Sequence, residues 1–141
     1  MSVPARRIRV LIVDDSAVIR KLVAEALSAD PQIEVIGSAQ NGQLAVERVA
    51  RLKPDAVTMD IEMPVMNGID AVRVIRRTNP RLPIVMFSTL TERGAAATLD
   101  ALQAGASDYV TKPSNVSGFA QSQANVREQL IPKLKALTGI G

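Results

Sequence analysis

Short apolar runs alternate along the chain with stretches whose apolar residues recur every three or four positions. Ile8 to Val13 is apolar except for Arg9 and stops at Asp14-Asp15, after which Ser16 reads as a helix N-cap. Ile19, Leu22, Val23, Ala26 and Leu27 then follow at helical spacing, and Asp30-Pro31 ends that segment. Ile33 to Ser38 reads as a second strand. Asn41-Gly42 opens the next turn, and Leu44, Val46, Val49 and Leu52 suit a second helix that Lys53-Pro54 closes. Asp55 to Asp60 reads as a buried strand, and the loop Ile61 to Asn67, which carries Pro64, leads into Gly68. Ile69, Val72, Val74 and Ile75 mark a third helix, ended by Asn79-Pro80. Pro83 to Phe87 is a fourth strand, Thr91 to Gln103 an Ala-rich helix with Gly105 as its stop, and Ala106 to Val110 a short fifth strand. Helical spacing returns from Val116 onward, with Val126, Leu130, Leu134 and Leu137 on one face. Pro132 inside that stretch predicts a kink or break.

Strands that alternate one by one with helices argue for an α/β domain built on a parallel sheet. Apolar runs without clean in-and-out alternation are those of strands covered on both faces. Right-handed crossovers then bring every strand's carboxyl end to one edge, and sites in such sheets lie at that edge, near the point where strand order reverses. A length of 141 residues fits one domain. The stretch Ser114 to Ser122 is polar and reads as loosely ordered.

Composition narrows the chemistry. The chain has no Cys and no His, which excludes disulfides, thiol and Ser-His-Asp catalysis, and His- or Cys-held zinc. A metal here must be held by oxygen, which points to Mg²⁺ or Mn²⁺. No long apolar run follows the short basic segment Met1 to Arg9, so a signal peptide or membrane span is not expected and the cytoplasm is the default location. The net charge is +3, and the clusters Arg6, Arg7, Arg9 and Arg76, Arg77, Arg81 read as solvated surface rather than as a nucleic-acid patch. Phe87, Tyr109 and Phe119 are too few for a base-stacking platform.

The polar residues at strand ends carry the chemistry. Strand one ends in Asp14-Asp15, strand three in Asp60, strand four in Ser88-Thr89 and strand five in Thr111-Lys112-Pro113. Taken singly, each is also a turn or capping residue, and Lys112-Pro113 a tight, cis-capable turn. Taken together on one rim, they would place three carboxylates, a hydroxyl pair and an ammonium in one pocket. Such carboxylates repel unless neutralised, and a hard divalent cation with Lys112 would do so. The cluster suits a phosphoryl group, with Asp60 as the nucleophile that forms an acyl phosphate and Asp14 and Asp15 placed to hold metal.

The segments Ile12-Val13-Asp14-Asp15-Ser16, Met59 to Gly68 (MDIEMPVMNG) and Gly105 to Pro113 (GASDYVTKP) resemble the signature segments of response-regulator receiver domains. The resemblance implies a flavodoxin-like, five-stranded parallel sheet of order 2-1-3-4-5 flanked by five helices. It implies a core over 7–114, a last helix and start of a linker over 115–137, and a frayed end over 138–141. It also implies a sensor histidine kinase as phosphodonor and Mg²⁺ on Asp15, Asp60 and the Glu62 backbone carbonyl, with Asp14 acting through water. Ser88 stands at the switch hydroxyl, Lys112 at the phosphate-pairing lysine and Tyr109 at the aromatic rotamer switch.

A narrower likeness, in Met86 to Gly94 (MFSTLTERG) with Thr98-Leu99 and Ala101-Leu102, is to the receiver half of chemotaxis protein-glutamate methylesterases. That family implies a C-terminal methylesterase output domain, which this chain, lacking His, does not itself supply. Alternatives are a stand-alone chemotaxis receiver acting as an interaction switch, and a receiver cut from a transcription factor. An aspartyl-phosphate phosphatase would want a second acid two residues beyond its nucleophile, where Glu62 stands, but the rest of that motif is missing. A flavodoxin-type cofactor binder lacks the aromatic pair to hold a flavin.

Overall fold

The computed structural model describes residues 6–89, 91–113 and 118–140. Ten elements alternate along the chain: β1 (Ile8–Val13), α1 (Ala17–Ser28), β2 (Ile33–Ala39), α2 (Gly42–Leu52), β3 (Ala56–Asp60), α3 (Gly68–Arg76), β4 (Ile84–Ser88), α4 (Glu92–Ala104), β5 (Asp108–Thr111) and α5 (Phe119–Thr138). The strands form one sheet of order β2-β1-β3-β4-β5, every pair parallel. This is the expected flavodoxin-like topology, and strand order reverses between β1 and β3.

Alternate strand residues face opposite helical layers. Ile8, Val10, Ile12, Val85, Phe87 and Val110 pack against α1 and α5, whose Leu22, Val23, Leu27, Leu130 and Leu134 are buried. Leu11, Val13, Val57, Met59, Ile84 and Met86 pack against α2, α3 and α4. The helices start where short polar side chains cap them: Ser16, Asn41, Asn67 and Thr91 each accept a hydrogen bond from the backbone N–H three residues on.

Two readings are corrected. Pro132 does not break α5, which runs unbroken through it. Pro132 and Glu128, whose carbonyl loses its helical partner, are both exposed, so water can satisfy that group, while buried Leu130 and Leu134 hold the helix down. The fifth strand is shifted to Asp108–Thr111: Ala106 N–H still returns to Ala101 O at the end of α4, and Ser107 is where the chain first bonds β4, at Ile84. No peptide bond among the described residues is cis, Lys112-Pro113 included.

The arginine clusters are not simply solvated. Arg7 donates to the carbonyls of Pro31 and Ile33, and Arg9 to those of Leu52 and Lys53. Arg6 pairs with Asp55. Arg76 joins the carbonyls of Gly105 and Asn79, each at 2.8 Å. Part of the tail expected to be loose, 114–117, lies outside the described residues. At the chain's end Gly139 is a left-handed C-cap (φ 67°), and Ile140 packs on the α1–α5 side of the core. Among the described residues no helix is long and apolar enough to cross a membrane.

Candidate functional site

Parallel pairing settles where the strand-end polar groups meet. Val13 of β1 lies opposite Met59 of β3, so Asp14 and Asp60 follow side by side across the reversal point. Carboxylate oxygens of Asp14, Asp15 and Asp60 all lie within 4.8 Å of one another. Asp14 and Asp60 are buried and Asp15 is exposed at the mouth. Lys112 is brought in from beyond β5: its Nζ is 2.9 Å from Asp60 Oδ2 and 3.9 Å from Asp14 Oδ2. Ser88 O accepts from the Lys112 backbone N–H at 2.8 Å and sets the height of that side chain at the rim.

Burial dominates the electrostatics. It pushes Asp14 up to about 6, with the nearby charges of Asp60 and Asp15 adding and the Ser16 N–H and Lys112 opposing. Burial likewise raises Asp60, against the hydrogen bond and charge of Lys112. Burial pulls the Lys112 ammonium down, but its hydrogen bond with Asp60 and the three carboxylates outweigh this, and it ends above its usual value. Asp14 Oδ1 accepts from Ser16 N–H at 2.9 Å, whereas Oδ2 is buried without a hydrogen-bond partner. Three clustered carboxylates, one with an orphaned buried oxygen, fit a hard divalent cation held by oxygen.

A small cleft over Asp60 is walled by Glu62, Thr89, Gly94 and Lys112. Glu62 therefore sits at the site, with its side chain toward Arg93 at 3.5 Å. Ser88 lies elsewhere: its hydroxyl is directed to Val110 O at 3.5 Å, and it lines a separate open groove with Leu99, Leu102 and half-exposed Tyr109. Thr89 borders both cavities and is the wall between them. Its individual importance was not legible beyond its membership of the Ser88-Thr89 pair.

Two glycines hold the loop 61–67 in place, each after an Asn cap. A Cβ on Gly68 would stand 2.1 Å from Asp60 O, and one on Gly42 would stand 2.5 Å from Met66 O. Gly68 N–H donates to Ile61 O and Gly42 N–H to Met66 O, both at 2.8 Å. The repeated Asn-Gly was their only signal in the sequence.

A doubly wound parallel sheet with this aspartate and lysine rim defines a phosphoryl-signalling receiver class. The family model described as "Response regulator receiver domain" matches residues 10–122, and the chain belongs to that family. It is 66% identical, over 92% of its length, to a "Protein-glutamate methylesterase/protein-glutamine glutaminase" of Nocardioides sp., and 45% identical over 96% to the protein of the same description from Pyrococcus abyssi. It spans only 36% of each of those relatives. Among solved structures it is similar to the response regulator domain of Thermotoga maritima CheB (TM-score 0.83, 42% identity, covering 96% of this chain and 99% of that one). It is also similar to a chain of the CheX-CheY-BeF3-Mg²⁺ complex of Borrelia burgdorferi (TM-score 0.75, 26% identity, covering 94% and 90%).

Proposed function

We propose that this receiver accepts a phosphoryl group on Asp60 from a chemotaxis histidine kinase in the cytoplasm, and that it regulates a protein-glutamate methylesterase domain outside this chain. The observation that carries the reading is the Lys112–Asp60 pair at 2.9 Å inside a three-carboxylate cluster. The likeness to methylesterases over nearly the whole chain supports the output.

In this reading an Asp60 oxygen attacks phosphorus in line, forming the acyl phosphate as the bond to the donor's imidazole nitrogen breaks. Lys112 pairs with the phosphoryl oxygens. Asp15, Asp60 and the Glu62 carbonyl would hold Mg²⁺ (or Mn²⁺), with Asp14 acting through water. When bound, the cation would offset charge on the transferring group. A complex that contains BeF3 and Mg²⁺ is among the similar structures, which supports a divalent cation in this reading. Ser88 must leave Val110 O to reach the phosphoryl group, and Tyr109 would then turn from the groove into the vacated space.

Intact-protein mass after incubation with Mg²⁺ and a small acyl phosphate tests the reading. One added phosphoryl group is expected for the wild type and none for Asp60→Ala or without metal. A metal-independent adduct, or one retained in Asp60→Ala, would overturn it. The output is tested on a longer protein carrying the esterase domain, whose activity should rise on phosphorylation.

A further inference from the structure

Asp14 is the most constrained acid of the cluster, and its polar atoms account for one another. Its N–H donates to Ala39 O at 3.0 Å, which ties it to β2. Its Oδ1 is taken by Ser16 N–H, and its Oδ2 faces Lys112 without a hydrogen bond. The remaining atom, the backbone carbonyl, accepts a 2.8 Å hydrogen bond from Arg20 Nη1.

Arg20 stands on the first part of α1, and its own N–H donates to Ser16 O at 2.9 Å. Backbone and side chain of one residue therefore clasp both ends of the turn Asp14-Asp15-Ser16. Two carboxylates lie in that turn, yet the guanidinium donates to the carbonyl. From there it fixes the direction of the peptide that carries Asp15 and leaves the carboxylates free. The rest of its side chain lines a groove between α1 and β2, away from the Asp60 cleft.

We propose that Arg20 is a positioning residue for the divalent-cation site: it clamps the β1–α1 turn so that Asp14 and Asp15 present their oxygens together. This rests on the cation site of the proposed function. Arg20 touches neither metal nor phosphoryl group, and acts through the Asp14 carbonyl. Removing a groups's supporting hydrogen bond outside the metal's own ligands commonly weakens metal affinity by about 10–100-fold.

Charge and position predict opposite signs, which makes the test decisive. Arg20→Gln deletes a positive charge close to the cation site, so a purely electrostatic role predicts tighter cation binding. A positioning role predicts weaker binding despite that gain. The measurement is titration of the isolated chain with Mn²⁺, followed by the electron paramagnetic resonance of free Mn²⁺, with competition by Mg²⁺. The expected result is a Kd raised about 10-fold in Arg20→Gln, whose amide donor is neutral and on a shorter side chain, and raised less in Arg20→Lys, which retains a cationic donor on a longer one. In the metal-free proteins, amide resonances of Asp15 and Ser16 should move in Arg20→Gln. Unchanged or tighter binding, or unmoved amides, would overturn the proposal. If Arg20→Gln does not fold by circular dichroism, Arg20→Lys carries the test alone, and wild-type affinity there would overturn it. A wild-type chain that binds neither Mn²⁺ nor Mg²⁺ would remove the cation site itself and the clamp with it.

Discussion

The two edges of the sheet treat their acids in opposite ways. At the amino edge every strand-proximal acid named here has a partner. Asp30 before β2 pairs with Lys135 at 2.9 Å and accepts from Gln32 N–H. Asp55 before β3 pairs with Arg6 and accepts from Arg9 N–H at 2.9 Å. Asp108 at the start of β5 pairs with Lys133 at 2.9 Å. At the carboxyl edge three carboxylates crowd together, Lys112 pairs with only two of them, Asp60 and Asp14, and one buried oxygen has no hydrogen-bond partner. The hydrogen bond from Lys135 holds Asp30 below the usual carboxylate range, whereas burial drives Asp14 up to about 6. Paired acids fasten neighbouring segments of the chain to one another. Crowded, desolvated acids are held at a cost that a bound cation would relieve.

The comparison breaks most sharply at Lys112. In Lys112→Ala the rate of adduct formation by mass spectrometry should fall by roughly 100-fold, the scale of losing one preorganised charge partner. Next is the pH response. Asp14 has a folded value above its unfolded one, so between about 4 and 6 the folded state binds more protons and stability falls as pH rises. In metal-free protein at neutral pH this acid therefore costs roughly 2–3 kcal/mol. Asp14→Asn, which keeps the acceptor for Ser16 N–H, should raise the melting temperature there and flatten its pH dependence. Asp30→Asn should do the reverse: the stability that Asp30 contributes is present above its unfolded value and lost as pH falls through its lowered folded one. Saturating Mg²⁺ should stabilise the wild type more than Asp14→Asn.

Thr58 sharpens the contrast further. Its hydroxyl is the other buried side-chain atom among the described residues without a hydrogen-bond partner, and it lies on β3 beneath Asp60. Thr58→Val should stabilise the fold by about 1 kcal/mol in a urea titration while leaving cation affinity unchanged, because an orphaned hydroxyl is only a cost. The smallest effect belongs to the Lys133–Asp108 pair. Lys133→Met should cost about 0.5 kcal/mol, since both partners keep about a third of their side-chain surface in water.

Much of the fold was legible because its signals are local. The cap Ser16, the Asn41-Gly42 turn, the stops Lys53-Pro54 and Gly105, and the apolar periods each act within a few residues. The site was legible as a set of strand-end residues, since a parallel sheet must gather them at one rim. The roles of individual groups were less so. Ser88 sits on the expected strand end, but its hydroxyl is turned to Val110 O, a choice made by packing across β4 and β5. Arg7 and Arg9 look like free surface charge, yet their guanidiniums reach carbonyls more than twenty residues away in sequence. Pro132 carries a penalty in any isolated helix, and its exposed side together with buried neighbours on the other face offsets that penalty here.

By itself the sequence determined the alternation of strands and helices, the oxygen-only ligand chemistry that follows from having no Cys or His, and the acids at the strand ends. These depend on residue type and spacing, which are properties of short stretches of chain. Only the tertiary structure decided that Lys112 meets Asp60 across 52 residues, that Asp14 keeps one oxygen unsatisfied, and that Arg20 clasps the turn beneath it. These depend on burial and on which groups packing brings within about 3 Å, where removing water sets the strength of a charge.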